Sequence, residues 1–275
     1  MKVTTEDISK LRKMTGAGMM DCKNALVEAE GNIEKAIEVI RKRGQAIANK
    51  RADRDAGEGV VLARTSADHT YVAMIVLNCE TDFVAKNETF VGIANTILDL
   101  AIEKRPANLD ALKNLQIKGK TVIDTISESI AAIGEKVDLS YFESISAEFT
   151  IPYIHAGSKL ATMIGFNKKI ADIQVAKDIA MQAAAMNPVA IDKENVSQAI
   201  IDKELEIGKE QARQEGKPEA MLDKIALGKL NKFFSESTLV NQSFIKDSKI
   251  TVRQYLNDYD KELKVIDFKR FSLTI

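Results

Sequence analysis

Residues 71–87 read YVAMIVLNCETDFVAKN. The first seven are apolar, which predicts a buried β-strand, and Asn87 predicts the start of an apolar helix. Between them a carboxylate, Asp82, stands beside a large aromatic side chain, Phe83, where the chain must turn. Each has an ordinary explanation, because Asp82 can cap a helix and Phe83 can fold back into the core. Together on a short turn they predict an exposed apolar wedge with a carboxylate beside it.

The segments on either side of this turn predict an α+β fold whose core has two related halves. Strands are predicted at residues 60–65, 71–77, 137–149, 153–155, 160–166 and 265–275. Apolar residues recur at helical spacing in residues 90–101, 122–133, 176–183 and 251–259, which predicts helices there. A strand pair followed by an apolar helix occurs twice, so residues 59–140 and 141–275 are predicted to form the two halves.

Residues 1–45 predict a bundle of three helices. Thr4 and Thr5 are candidate helix starts, because their hydroxyls can accept a hydrogen bond from the first turn. Gly16, Gly31 and Gly44 are predicted to end the three helices. The apolar residues at helical spacing are Ile8, Leu11, Met14, Cys22, Ala25, Leu26, Ala29, Ile33, Ala36, Ile37 and Ile40. The polar residues 46–58 are predicted to be a linker, which can be helical at its start.

Residues 195–236, within the second half, predict an antiparallel helical hairpin. The outgoing arm repeats apolar or small residues in steps of four, three and four, which is typical of a coiled-coil seam. That seam is Ile201, Leu205, Gly208 and Ala212, and the returning seam is predicted to be Met221, Ile225 and Gly228, after a turn at Gly216-Lys217-Pro218. An arm of about 20 residues reaches about 30 Å. Because both arms carry many charged side chains, the hairpin is predicted to protrude from the core.

The composition argues against several classes of protein. The 275 residues carry a net charge of −1, unlike a nucleic-acid binder that works through an overall positive field. Aromatic residues are only 5%, so stacking platforms for single strands are not expected. No run approaches about 18 unbroken apolar residues, so no membrane partner is expected. Two cysteines are too few for a disulfide framework, and the N-terminus lacks a signal-peptide core, which together predict a cytoplasmic protein.

A few side chains are candidates for binding or chemistry. Met19 and Met20 follow a glycine break, with Lys23 one turn beyond Met19, and exposed methionines suit an adaptable protein-binding surface. The alternative is that these methionines pack inside the bundle. His155 is a candidate general base and Cys79 a candidate nucleophile, but neither has an evident activating partner. Two histidines, two cysteines and the lack of a glycine-rich phosphate loop predict no metal and no cofactor.

Two long motifs resemble the bacterial elongation factor Ts family. Residues 11–26, LRKMTGAGMMDCKNAL, are similar to the N-terminal signature of that family. Residues 78–86, NCETDFVAK, are similar to its core signature. Tyr153-Ile154-His155 and the hairpin with its Gly216-Lys217-Pro218 turn also fit, so the resemblance covers nearly the whole chain.

The resemblance implies a guanine-nucleotide exchange factor for elongation factor Tu, the GTPase that delivers aminoacyl-tRNA to the ribosome, with no bond chemistry of its own. It implies that residues 1–45 are similar to a ubiquitin-associated domain and dock on the GTPase domain of the partner. The implied wedge is Thr81, Asp82, Phe83 and Val84, with Phe83 entering an apolar pocket near the magnesium site. The implied docking residues are Leu11, Arg12, Met19, Met20 and Lys23, and the further implied contacts are Ile133, Gly134 and His155.

Two departures from the family pattern affect these expectations. Some members have an extra helix beyond the last strand, and this chain stops at Ile275, so the contact made by that helix is expected to be missing. Ala156 stands where the family often has glycine, which affects the expected backbone shape at His155.

Alternatives to an exchange factor also follow from the residues. A ubiquitin-associated-like binding scaffold without exchange activity explains residues 1–45 but gives no reason for Asp82 and Phe83. An enzyme that uses His155 and Cys79 lacks an activating partner for either residue. The projecting hairpin is in addition a candidate surface for pairing two copies of the chain.

Overall fold

The computed structural model describes residues 3–51 and 53–274, apart from the side chains at positions 45 and 48. The helices are α1 (Thr5–Thr15), α2 (Met19–Glu28), α3 (Ile33–Lys50), α4 (Asp82–Ala85), α5 (Glu88–Lys104), α6 (Leu109–Asn114), α7 (Val122–Ile133), α8 (Ile173–Met186), α9 (Gln198–Gln214), α10 (Leu222–Ser237) and α11 (Val252–Tyr259). The strands are β1 (Glu58–Thr65), β2 (Tyr71–Cys79), β3 (Gln116–Ile117), β4 (Lys120–Thr121), β5 (Val137–Ser146), β6 (Phe149–Ile154), β7 (Leu160–Phe166), β8 (Ser243–Phe244), β9 (Asp247–Thr251) and β10 (Val265–Ser272). These elements confirm the predicted α+β class.

Two three-stranded antiparallel sheets form the core of the molecule. The first sheet has the order β1-β2-β5 and the second has the order β10-β7-β6. One face of each sheet packs against the other sheet, and the outer faces are covered mainly by α5 and α7 on the first sheet and by α8 on the second. The result is a four-layer arrangement of helices, sheet, sheet and helices.

Strand β2 is buried along its whole length because it lies between two apolar layers. Side chains alternate between the faces of a strand. Ala73, Ile75 and Leu77 therefore face the helices, whereas Met74 and Val76 face the second sheet. This double burial explains the unbroken apolar run in the sequence and confirms the predicted strand.

The single strand predicted at residues 137–149 is wrong. The chain turns at Ala147 and Glu148, where the Ala147 N–H donates to the Thr70 carbonyl at 3.0 Å. As a result β5 pairs with β2 in the first sheet, and the next strand, β6, pairs with β7 in the second. Strand β5 continues across residues 140 and 141, where the division into two halves was predicted, and that division stays a prediction.

Other predicted boundaries also shift. The strand predicted at residues 153–155 is shifted, because β6 begins at Phe149 and ends at Ile154, and His155 lies beyond it. Strand β10 ends at Ser272, not at Ile275. Met1, Lys2, Ala52 and Ile275, which the predicted bundle, linker and last strand include, lie outside the described residues. Helices α4 and α6 and the small hairpins β3-β4 and β8-β9 were not predicted.

The N-terminal bundle has the three predicted helices, and Thr4 caps the first of them in a reciprocal capping box with Asp7. The predicted end of the third helix at Gly44 is wrong, because α3 continues to Lys50. A β-carbon at position 44 would come within 2.6 Å of the Ser127 carbonyl oxygen and 2.8 Å of the Ala131 β-carbon. Gly44 is therefore the point of close approach between α3 and α7, and the bundle packs directly on the core.

The helical hairpin consists of α9 and α10, which bury their seam against each other. Gly208 and Ala212 are buried on α9, as the predicted outgoing seam requires. The predicted returning seam is wrong by one residue at its first two positions and by two at its third, because a 3₁₀ turn at Glu219–Met221 precedes α10 and sets its phase. The buried residues of α10 are Leu222, Ala226 and Leu230.

Candidate protein-binding site

The turn after β2 forms one short helix that presents Phe83 to solvent. Thr81 caps this helix, α4, and its hydroxyl accepts a hydrogen bond from the Val84 N–H at 3.4 Å. Val84 is half-buried against the core between the first sheet and its covering helices, whereas Phe83 is 83% exposed. The ring of Phe83 therefore does not fold back into the core, and we call residues 81–84 the wedge.

The carboxylate of Asp82 lies beside this ring on the same helical turn. It accepts a hydrogen bond from the Lys86 ammonium at 2.7 Å, one turn further along the chain. That hydrogen bond, with the charge of Lys86, lowers the pKa of Asp82. Since an ordinary aspartate is already ionised at neutral pH, the wedge carries an apolar ring and a negative charge side by side.

Hydrogen bonds of Glu80 and Thr81 anchor the start of the wedge. Glu80 accepts hydrogen bonds from the Lys136 N–H at 2.7 Å, from Arg51 at 2.6 Å and from Arg54 at 3.0 Å. Thr81 donates from its N–H at 3.1 Å and from its hydroxyl at 2.8 Å to the carboxylate of Glu135. These bonds fix the backbone directly before Asp82, so the exposed ring projects from a well-anchored turn.

The Glu80 carboxylate is electrostatically compensated although its side chain is only 12% exposed. Burial by itself raises the pKa of Glu80. The hydrogen bonds from Lys136, Arg51 and Arg54 outweigh that effect and lower the pKa to about 2. Glu80 is therefore ionised at every pH at which the protein is expected to work.

A cleft of about 480 Å³ connects the wedge with the N-terminal bundle. It is lined by Val84 of the wedge, by Thr15 and Gly16 of the turn between α1 and α2, and by Ile133 at the end of α7. Gly134 follows Ile133 and ends α7 in the left-handed conformation, with φ of 79°. The wedge residue Val84 and the predicted contact Ile133 thus line the same depression, together with the turn between α1 and α2.

The predicted docking residues divide into exposed and buried side chains. Met19 and Met20 at the start of α2 are exposed, and so are Arg12 and Lys23. Leu11 is fully buried in the core of the bundle, so it supports this surface from beneath and does not form part of it. We call Arg12, Met19, Met20 and Lys23 the docking surface.

Two exposed apolar residues near the docking surface were not predicted. Met14 of α1 and Val27 of α2 are both more than half exposed. The repeat of Ile8, Leu11 and Met14 was a usable signal, because steps of three residues turn progressively off one helix face. The holding partners Arg51, Glu80 and Glu135 were also missed, and no local sequence signal indicates their pairing.

His155 lies in the turn between β6 and β7, at the same end of the sheets as the wedge. In that turn the Ser158 carbonyl accepts from the Val61 N–H at 2.7 Å, and Lys159 forms an ion pair with Glu58. Glu58 is the register partner of Cys79, the last residue of β2 before the wedge. The exposed ring of His155 lies 3.0 Å from the Tyr153 hydroxyl, measured from its Nδ1 atom.

The arrangement does not favour bond-breaking chemistry by His155 and Cys79. The Cys79 thiol donates to the Thr81 carbonyl at 3.1 Å, and burial raises its pKa to about 11, which is the wrong direction for a nucleophile. His155 has Tyr153, not an acid or a thiol, as its hydrogen-bond partner. Among residues 3–51 and 53–274, no cluster of three or more His, Cys, Asp or Glu side chains could hold a metal ion.

Fold and surface together define a protein-binding protein: a helical bundle with exposed methionines, fixed beside a turn that presents an exposed phenylalanine. In the part of the chain that the structure describes, no helix is both long and apolar enough to cross a membrane.

Comparison with known proteins narrows this class to one family. A family model described as Elongation factor TS matches residues 80–274. Elongation factor Ts of Amoebophilus asiaticus (strain 5a2) is 54% identical over 272 residues, which cover 98% of each chain. Elongation factor Ts of Porphyromonas gingivalis (strain ATCC BAA-308 / W83) is 54% identical over 275 residues and that of Christiangramia forsetii (strain DSM 17595 / CGMCC 1.15422 / KT0803) is 49% identical over 273, each covering 99% of both chains.

The chain therefore belongs to the elongation factor Ts family, and it is a translation elongation factor that serves protein biosynthesis. The resemblance inferred from residues 11–26 and 78–86 is confirmed.

Proposed function

We propose that this chain is a guanine-nucleotide exchange factor that binds elongation factor Tu·GDP and accelerates GDP release during translation elongation in the cytoplasm. Membership of the elongation factor Ts family supports the partner and the reaction. One observation carries the mechanism: an exposed Phe83 projects from a turn whose base is anchored by Glu80 and Thr81. Asp82 and Phe83 insert near the magnesium and phosphate site of the partner, and no covalent bond is made or broken.

The exposed ring supplies binding energy only when a pocket opens for it. Burying a phenylalanine side chain contributes about 1.5–3 kcal/mol. If the pocket in the partner forms only when its grip on the nucleotide loosens, this energy favours the loosened state. The coupling acts in both directions, because bound GDP must weaken the wedge contact as much as the wedge weakens GDP binding.

The carboxylate of Asp82 adds an electrostatic component beside the ring. It is already ionised and hydrogen-bonded to Lys86. Placed near a magnesium ion, a carboxylate competes with water and phosphate oxygens for the ion. Phe83 therefore opens the pocket, and Asp82 disturbs the ion that neutralises the phosphates.

The bundle positions the wedge on the partner. The docking surface holds the partner through exposed methionines, whose flexible thioether side chains adapt to an apolar surface. Ile133, Gly134 and His155 form further contacts around the cleft and at the same end of the sheets. A homodimer through the hairpin stays a prediction, for which Ile207 and Leu227 are exposed apolar candidates.

The substitution Phe83→Ala tests the role of the wedge. Loss of about 1.5–3 kcal/mol of burial lowers the maximal rate of factor-stimulated GDP release roughly 10- to 100-fold. Stopped-flow fluorescence with labelled GDP on the partner measures that rate. Since Phe83 is exposed, circular dichroism and the thermal unfolding midpoint of the variant stay those of the wild type.

Ile245→Ala is the matched control, because Ile245 is also an exposed apolar residue but lies in the turn between β8 and β9. Its release rate is expected to equal that of the wild type. If Phe83→Ala releases GDP as fast as the wild type, the wedge mechanism is wrong. If the wild-type chain binds the partner without changing GDP release at all, the alternative of a binding scaffold replaces the exchange function.

A further inference from the structure

The wedge is connected directly to the last turn of the N-terminal bundle. Helix α3 ends at Lys50, and the two arginines just beyond it, Arg51 and Arg54, both donate to the Glu80 carboxylate. Glu80 is separated from Phe83 by only two residues. The chain segment that leaves the bundle is therefore tied to the chain segment that enters the wedge.

The same segment is tied to the turn between α7 and β5. The Lys136 ammonium donates to the Arg54 carbonyl at 2.9 Å, and the Lys136 N–H donates to Glu80 at 2.7 Å. Glu135, the preceding residue, holds Thr81 through two hydrogen bonds. Arg54, Glu80 and the residues after Gly134 thus form one compact network at the base of the wedge.

Helix α7 supplies a second mechanical connection from the bundle to this network. It packs against α3 at Gly44, and Arg41 of α3 forms an ion pair with Asp124 of α7. Because helices and their packed interfaces move largely as rigid units, a shift of the bundle displaces both the arginines and the end of α7. Both displacements move Glu80 and Thr81, which directly precede Asp82.

We propose that Arg51, Arg54 and Glu80 form a positioning clamp that transmits docking of the bundle on the partner to the position of Phe83. The proposal rests on the proposed exchange function and adds the residues that aim the wedge. Glu80 is a positioning residue, because its carboxylate points to the arginines and to the Lys136 N–H and does not itself meet the partner's nucleotide site.

The loss of a positioning clamp lowers the exchange rate, whereas the loss of an ion pair that only stabilises the fold lowers the free energy of unfolding. Exposed ion pairs contribute about 0–1 kcal/mol to folding, but the Glu80 side chain is only 12% exposed, so the loss of both arginines also costs some stability. A misplaced group at a reacting centre costs far more, because a displacement of about 1 Å can lower a rate by about 100-fold. Removing the arginines is therefore expected to lower the maximal exchange rate and to leave the affinity unchanged, while the chain loses some stability but stays folded.

The test compares the double variant Arg51→Ala, Arg54→Ala with Arg213→Ala. Arg213 is the matched control, because it also pairs with carboxylates, those of Glu210 and Glu219, but lies in the helical hairpin. Stopped-flow release of labelled GDP from elongation factor Tu is measured against factor concentration, which gives a maximal rate and a half-saturating concentration. The double variant is expected to lower the maximal rate by about fivefold or more. Its half-saturating concentration is expected to stay within about twofold of the wild-type value. The control, Arg213→Ala, is expected to change neither quantity.

An unchanged maximal rate in the double variant overturns the clamp. So does a fall in rate accompanied by an equal rise in the half-saturating concentration or by a large loss of thermal stability, because that pattern describes a structural role. Glu80→Gln is the second variant, since glutamine keeps one acceptor oxygen for the Lys136 N–H and removes the charge and the second acceptor oxygen that the arginines bind. It is expected to reproduce the loss in maximal rate.

Phe83→Ala measured in the same series separates this proposal from the exchange mechanism on which it rests. If Phe83→Ala slows GDP release and the double arginine variant does not, the clamp alone is wrong. If Phe83→Ala itself has no effect on GDP release, the wedge mechanism is wrong, and so is the clamp proposal that depends on it.

Discussion

The ring of Phe83 is an apolar group of the size that folding normally buries, yet 83% of it faces solvent. Its exposure forgoes about 1.5–3 kcal/mol of burial that a packed position would provide. The neighbouring residues do not share this exposure, because Val84 packs on the core and Glu80 is held by three donors. Within five residues the chain thus changes from an anchored carboxylate to an exposed ring. The ring is therefore available to contact a partner protein.

The lowered pKa of Glu80 makes the stability of the folded chain depend on pH. The pKa falls from an ordinary value of 4.5 to about 2, so the unfolded chain binds more protons than the folded chain between these values. Stability from Glu80 is therefore complete above about pH 4.5 and is lost as the pH falls towards 2. Glu80→Gln removes this contribution, so its unfolding free energy changes less between pH 5.5 and pH 3 than that of the wild type.

Urea unfolding followed by circular dichroism at pH 3, 4, 5.5 and 7 measures this effect. The difference between wild type and Glu80→Gln at pH 5.5 and at pH 7 is expected to be the same, which provides an internal control. If that difference stays the same down to pH 3, the Glu80 carboxylate is not compensated in the folded chain as described.

At this scale the sequence predicts Phe83 better than Glu80. The pairing of an acid with an aromatic residue on a turn between a buried strand and a helix is visible in a short stretch of sequence. The partners of Glu80 are not, because Arg51 lies 29 residues before it and Lys136 lies 56 residues after it. Hydrogen bonds between such distant residues exist only once the bundle, β2 and α7 have been brought together.

Among the elements, α3 and α7 decide how the bundle sits on the core. Their contact is close because Gly44 has no side chain, and the ion pair of Arg41 with Asp124 lies alongside it. The length of α3 matters as well, since its continuation to Lys50 brings Arg51 to Glu80. A helix that ended at Gly44 would leave the wedge without this support.

The substitution Gly44→Ala is expected to destabilise the folded chain although alanine is the better helix former. Alanine gains up to about 1 kcal/mol of helix propensity. That gain is outweighed, because the new β-carbon would approach the Ser127 carbonyl to 2.6 Å and the Ala131 β-carbon to 2.8 Å. Forcing extra volume into a packed contact costs about 1–3 kcal/mol. Urea unfolding is expected to show a net loss of up to about 2 kcal/mol.

Gly228→Ala is the matched control for this prediction. Gly228 also lies inside a helix, α10, but a β-carbon there meets no atom within 4 Å. It is expected to stabilise the chain by about 0.5–1 kcal/mol. A Gly44→Ala variant that is as stable as the wild type would mean that α3 and α7 do not approach as closely as described.

The two glycines Gly134 and Gly44 show how far the elements can be predicted from sequence. The helix predicted at residues 122–133 ends at Gly134, in the left-handed conformation that glycine adopts easily. Gly44 was predicted to end α3 by the same reasoning, but there the absence of a side chain serves packing against another helix. Local sequence cannot distinguish these uses, because the second depends on a neighbour about 85 residues away in the chain.

For the whole molecule, the decisive feature is that the two proposed binding surfaces belong to one rigidly packed structure. The docking surface lies on α1 and α2, the wedge lies after β2, and the cleft lined by Gly16, Val84 and Ile133 joins them. The family, the α+β class and the helical hairpin could be predicted because their signals are local motifs and periodicities. The layering of two sheets between helices could not, because strand pairing such as that of β2 with β5 depends on contacts between distant segments.

Because the docking surface and the wedge lie on different elements, substitutions in them are predicted to change different kinetic quantities. Met20 is 64% exposed on the docking surface, so Met20→Ala removes contact with the partner without disturbing the bundle core. Truncating a well-placed interface side chain costs about 1–2 kcal/mol, which raises the half-saturating concentration of factor about 5- to 30-fold. The maximal rate of GDP release is expected to stay near the wild-type value, because the wedge still reaches the nucleotide once the complex has formed.

Calorimetry of the nucleotide-free complex and stopped-flow release of labelled GDP measure the two quantities independently. Met186→Ala is the matched control, because Met186 is an exposed methionine at the end of α8, away from the bundle. A Met20→Ala variant with unaltered affinity does not belong to the docking surface. If it instead lowers the maximal rate as Phe83→Ala does, docking and insertion are one event, and the two surfaces act together from first contact with the partner.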